Sequence, residues 1–169
     1  MFEVNIYLET SLKGPVTKDG WHAAVLEFVK KDGNITTRED FERETSTTYH
    51  RQCLRALIKA LKRLNASCIV HIYSDSVYVE NGIMKNLKRW KSNGFLSADG
   101  ESLKNVQEWK EIASLTSAQK LIFHREKRNA YSAWMHQEAK TYGFGVFESI
   151  NKAVRDSVNT ECERELNEY

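Results

Sequence analysis

The chain has 169 residues, 41% hydrophobic and 28% charged, which suits one domain, or one domain of about 140 residues with an appendage. There is no bilayer-length apolar run and no basic-then-apolar leader, and Cys53, Cys68 and Cys162 are odd in number without CxxC spacing. These features argue against a membrane protein, a disulfide framework or a zinc knuckle, and favour a cytoplasmic protein with reduced thiols. The net charge of +2 divides into a mildly basic body and an acidic segment from Glu148 onward, a balance compatible with a nucleic-acid partner without requiring one.

In chain order, residues 2–9 (FEVNIYLE) alternate apolar and polar positions and read as a strand ending at Glu9. After a turn holding Pro15, Trp21 to Val29 reads as a second strand. Lys31-Asp32-Gly33-Asn34 signals a hairpin into a third, from Ile35 toward Glu44. Ser46, Thr47 and Thr48 offer caps for a helix whose Leu54, Leu57, Ile58, Leu61 and Leu64 recur at helical spacing. Cys68 to Ser74 reads as a short strand.

Asp75 sits where that strand stops, facing a cleft; Ser76 caps a helix running to about Asn86, with Val79 and Ile83 on its inner stripe. KNLKRWK (85–91) is basic around Trp90. A helix spans about Asn105 to Leu115, Lys120 to His124 reads as a fifth strand, and Ser132 to about Thr141 as a further helix. From Glu148 to Tyr169, Ile150, Val154, Val158, Cys162 and Leu166 recur four apart as a narrow amphipathic stripe, which either docks on its own domain or serves a protein partner or dimerisation.

This βββαβααβα order, with carboxylates closing the first and fourth strands, resembles the type 1 ribonuclease H family. The resemblance is ungapped from Tyr73 to Trp109 (YSDSVYVENGI, RWKSNGF, SADGESLKN, KNVQEW) and extends through IYLETS and RQCLRALIKALKRL, covering about Glu3 to Ala139. It implies an α/β fold with a five-stranded mixed sheet flanked by helices over residues 1–142; the C-terminal helical extension over 143–169 lies outside the resemblance and is read from its amphipathic stripe alone. The resemblance also implies RNA/DNA-hybrid cleavage on two Mg²⁺ ions held by four acidic residues.

At the matching positions this chain has Glu9, Cys53, Asp75 and His136. Only Asp75 keeps the family's residue. Glu9 carries its carboxylate about 1.5 Å further out than an aspartate would, and a thiol at position 53 is a poor Mg²⁺ ligand. Formal site charge falls from about −4 to about −2. The expectation is a nucleic-acid-binding domain with impaired catalysis, binding at most one Mg²⁺ or Mn²⁺ weakly through Glu9 and Asp75. Two alternatives stand beside it: a divergent hybrid nuclease running on those two carboxylates, and a zinc site built from Glu9, Cys53, Asp75 and His136.

Tyr49 and His50 replace two asparagines that read the minor groove, and the loop REKRNAY lacks the family's glycine-flanked histidine. The basic protrusion that grips the DNA strand is matched by Lys85, Lys88, Arg89 and Lys91 around Trp90, with Lys104 behind them; Thr48 joins this nucleic-acid-binding set. Backbone phosphates need only suitably spaced positive charge. The competing reading of the same segment is a solvated helix end with a packed tryptophan. His22, His50 and His71 are isolated in sequence and read as ordinary surface or half-buried residues.

Overall fold

The computed structural model describes residues 1–144. Three strands, β1 (Phe2–Thr10), β2 (Lys18–Val29) and β3 (Ile35–Thr47), form an antiparallel meander. The polypeptide then crosses through helix α1 (Tyr49–Leu61) to β4 (Cys68–Ser74), which lies parallel to β1. The elements α2 (Val77–Asn81), a π-helical turn (Gly82–Asn86), α3 (Leu87–Asn93) and α4 (Val106–Leu115) lead to β5 (Lys120–Arg125), parallel to β4, and α5 (Ser132–Thr141) closes the domain. The five-stranded mixed sheet has the order β3-β2-β1-β4-β5.

Both faces of the sheet are covered. Alternation along β1 and β4 sends Val4, Ile6, Leu8, Val70 and Ile72 to one side, where Leu54, Leu57 and Leu61 of α1 complete the core. Each fully buried leucine contributes roughly 2 kcal/mol. The opposite face carries Tyr7, Trp21, Ala23 and Val25, packed under Met135 and Ala139 of α5. Thr48 caps α1, accepting a hydrogen bond from the Arg51 N–H, and Ser76 caps α2 from Val79; each such cap is worth about 1 kcal/mol.

The helix expected to stop near Asn86 instead continues through the π-turn to Asn93. Gly82 explains the irregularity: a Cβ there would stand 2.0 Å from the Trp109 ring, so only glycine lets α4 approach this closely. The wider turn keeps the helix continuous past the intruding ring. The strands also run past their expected ends, β1 to Thr10, β2 from Lys18 and β3 to Thr47. Ladder pairing with neighbouring strands holds Lys18 opposite Thr47 and Thr10 opposite His22. No helix among the described residues is long and apolar enough to cross a membrane. The amphipathic stripe expected over 148–169, Cys162 with it, lies outside the described residues.

Candidate functional site

Because β1 and β4 are adjacent and parallel, their carboxyl ends open on the same edge of the sheet, where ligands of α/β folds gather. Glu9 occupies the end of β1 and is 6% exposed; Asp75 follows β4 directly. Between them lies a side chain that no motif marks. Lys13 folds back from the β1–β2 turn, pairs its ammonium with Glu9 and places Nζ 3.4 Å from Oδ2 of Asp75. Tyr49, from the first turn of α1, donates its hydroxyl to Oδ1 of Asp75 at 2.7 Å. The Glu9 carboxylate also accepts the Thr10 N–H at 3.0 Å.

Electrostatics follow from this arrangement. Burial alone would lower the Lys13 pKa, but the hydrogen bond and charge of Glu9, with the charge of Asp75, outweigh it and raise the value. Burial, the neighbouring Cys53 and the bond to Asp75 raise the Tyr49 phenol, which therefore remains a proton donor.

The other two expected positions are placed differently. Cys53 is 2% exposed and belongs to the α1 core. Burial first, then the Asp75 charge, pushes its thiol up to about 12. His136 lies with Nε2 3.7 Å from Glu9 and its ring edge-on to Trp21.

Among the described residues no group of three or more His, Cys, Asp or Glu side chains converges to hold a metal ion. The zinc tetrad is therefore not assembled here: the Cys53 side chain packs in the α1 core, apart from the carboxylates that meet Lys13. The family's pair of Mg²⁺ ions also does not fit these residues. Hard cations need several free oxygens, and those of Glu9 and Asp75 already serve Lys13, Tyr49 and Thr10. A divalent ion 4 Å from an ammonium would be repelled by roughly 2 kcal/mol in water and roughly 8 kcal/mol at an effective protein dielectric.

Beside this pair a groove of about 710 Å³ is lined by Lys13, Thr48, Tyr49, His50, Arg51 and Lys104. Thr48 thus both caps α1 and lines the groove. Lys85, Lys88, Arg89 and Lys91 are exposed along the π-turn and α3, as is Lys104. Trp90 requires a correction as a nucleic-acid contact: it is 8% exposed and packs on Trp109 at 5.0 Å, so it anchors the protrusion from below. From the groove inward, His50 stacks on Tyr78 at 4.1 Å, and Tyr78 accepts the Trp109 indole N–H at 3.0 Å. A row of rings therefore ties the groove to the base of the protrusion.

Lys13 and Tyr49 were missed as partners of the carboxylates because their roles depend on how the β1–β2 turn and α1 meet. Of the histidines, His50 is exposed and His71 half-buried, as expected, whereas His22 is not. His22 is fully buried beside Glu44, and His71, isolated in sequence, shares a hydrogen bond with His124 on the neighbouring strand at 2.8 Å.

The meander, the parallel β1–β4–β5 half and a carboxylate at each central strand end define a ribonuclease-H-like domain. Residues 2–127 match the RNase H family model. A ribonuclease H of Cupriavidus necator is 34% identical over 124 residues, 73% of this chain and 81% of that protein. The solution structure of the PFV RNase H domain superposes with a TM-score of 0.60 at 23% identity, covering 86% of this chain and 96% of that one. A foamy viral protease-reverse transcriptase in complex with RNA/DNA hybrid matches with a TM-score of 0.55 at 20% identity, covering 73% of this chain and 17% of that one. The chain belongs to the RNase H family.

Proposed function

We propose that this chain is an RNase H-family domain that binds the backbone of a nucleic-acid duplex, an RNA/DNA hybrid or DNA, and is impaired in cutting it. The carrying observation is the continuity of positive charge: exposed Lys85, Lys88, Arg89 and Lys91 on the protrusion, then exposed Lys104 and half-buried Arg51 in the groove that ends at Lys13. Such a row meets phosphates without reading bases. The impairment rests on the replaced ligands, since Cys53 and His136 supply no carboxylate and Lys13 engages the two that remain. The likeness to a reverse transcriptase solved with an RNA/DNA hybrid supports the choice of duplex through the shared fold alone.

A second reading, a divergent metal-dependent hybrid endoribonuclease on Glu9 and Asp75, is favoured by the convergence of both carboxylates on one cation position. One experiment separates the two. The chain and its Asp75→Asn variant are incubated with labelled hybrid in Mg²⁺ and in Mn²⁺, and binding is followed across a salt series. The proposal expects salt-sensitive binding by both proteins and no cleavage by either. Cleavage that disappears in Asp75→Asn would establish the nuclease instead.

A further inference from the structure

We infer that Lys13 is a resident counter-ion: its ammonium holds the cation position between Glu9 and Asp75, closes this carboxylate pair to divalent ions, and its removal opens a one-ion site.

The turn that carries Lys13 is fixed from several sides. Leu12 is 3% exposed and its N–H meets Oε1 of Gln52 at 3.4 Å. Thr10 donates its hydroxyl to the Leu12 carbonyl at 2.8 Å. Ser11 exchanges hydrogen bonds with Trp21, its N–H donating to the carbonyl at 2.9 Å and its hydroxyl accepting the N–H at 2.8 Å. Gly20 permits this closure, because a Cβ there would stand 2.4 Å from Nε2 of Gln52 and 2.6 Å from Oγ of Ser11. A turn held this firmly delivers the ammonium at little further entropic cost.

The acceptors are equally constrained. Glu9 is held by β1 pairing with Ala23 of β2 and by the Thr10 N–H on its carboxylate, and Asp75 by the Tyr49 hydroxyl. Lys13 itself is 45% exposed and borders the groove, so its place is reachable from solvent once the side chain is shortened. Two carboxylates with an open approach, and water to fill the remaining positions, suit a single hard divalent ion. A lysine in that place offsets one of the two negative charges without any ion. Resting on the binding reading above, this lets backbone phosphates approach in the absence of divalent metal.

The test uses the full chain and Mn²⁺ alone, with free Mn²⁺ read from its electron paramagnetic resonance signal. Wild type, Lys13→Met, Lys13→Gln, Lys13→Arg and the double variant Lys13→Met/Asp75→Asn are titrated. Both neutral single variants should bind one Mn²⁺ at least about tenfold more tightly than wild type or Lys13→Arg, and Asp75→Asn should abolish the gain. Equal affinity of wild type and the neutral variants, or a gain that survives loss of Asp75, would overturn the inference. Because no nucleic acid is present, either result stands apart from whether the domain binds a duplex.

Discussion

Oε2 of Glu44 lies 3.2 Å from Nδ1 of His22, with both side chains almost wholly inside the protein. Arg55 of α1 completes the contact from the outside, so this carboxylate joins β2, β3 and α1. Burial would raise the Glu44 pKa, yet the adjoining His22 ring and the Arg55 guanidinium, which donates to the carboxylate, bring it down to about 2. A carboxylate depressed in the folded state binds fewer protons there than in the unfolded chain. Its contribution is complete above the ordinary carboxylate value of 4.5 and is lost as pH falls from there toward 2.

Acid unfolding should therefore be steep between those limits, with roughly 3 kcal/mol of the loss attributable to this group. Glu44→Gln should lower stability at neutral pH by about 2 kcal/mol, Arg55 being partly solvated, and should flatten the acid limb. Urea unfolding at pH 7 and at a series of lower pH values measures both effects.

Gly82→Ala tests the close approach of α4. In an open helix the change would stabilise by roughly 0.5–1 kcal/mol through backbone entropy. Here the added methyl meets a Trp109 ring that is 1% exposed and cannot swing aside. Overpacking of a closed core costs about 1–3 kcal/mol and outweighs the gain. Thermal unfolding should show a net loss, with near-ultraviolet circular dichroism of the tryptophans altered.

The protrusion should separate charge from packing. Alanine at Lys88 or Lys91 should leave unfolding within about 0.5 kcal/mol of wild type. If the residue meets one phosphate, the slope of log affinity against log salt should fall by about 1, equally for different sequences. Trp90→Ala should instead cost about 3–5 kcal/mol of stability, because it empties a core position against Trp109. Filter binding of a labelled duplex, run beside denaturant melts, compares the two.

Cys53 should be chemically silent in the folded protein. With its thiol pushed up to about 12 and 2% exposed, it offers neither thiolate nor access at pH 8. Iodoacetamide mapped by peptide mass spectrometry should leave Cys53 unmodified in native protein and modify it fully in denaturant. Rapid native labelling would show that α1 opens locally near the carboxylates.

The periodic parts of the chain were readable in advance. Strand Cys68–Ser74, helix Ser132–Thr141 and the caps at Thr48 and Ser76 match expectation because each rests on local pattern. The position of Asp75 after β4 and of Glu9 at the end of β1 was also legible, since a strand end and a turn signal coincide there. Lys13 was not, because a lysine in a Gly-Pro turn has no period, and its partner Asp75 is distant in sequence. Trp90 was misjudged for a related reason: a tryptophan among lysines looks like a contact residue until Trp109 is found beneath it.

Strand β3, thirteen residues long, lies at the border of the sheet. An uncovered strand of that length is a template on which a second chain can lay down further β-structure. Arg38, Glu39, Asp40, Glu42 and Arg43 interrupt it with charges of both signs, two of them paired across to the helix behind, Glu42 with Lys59 of α1 and Asp40 with Arg63 just beyond its end. Charges of both signs along a border strand raise the cost of edge-to-edge pairing with a second chain, so this strand is guarded by the same residues that tie it to the helix behind it.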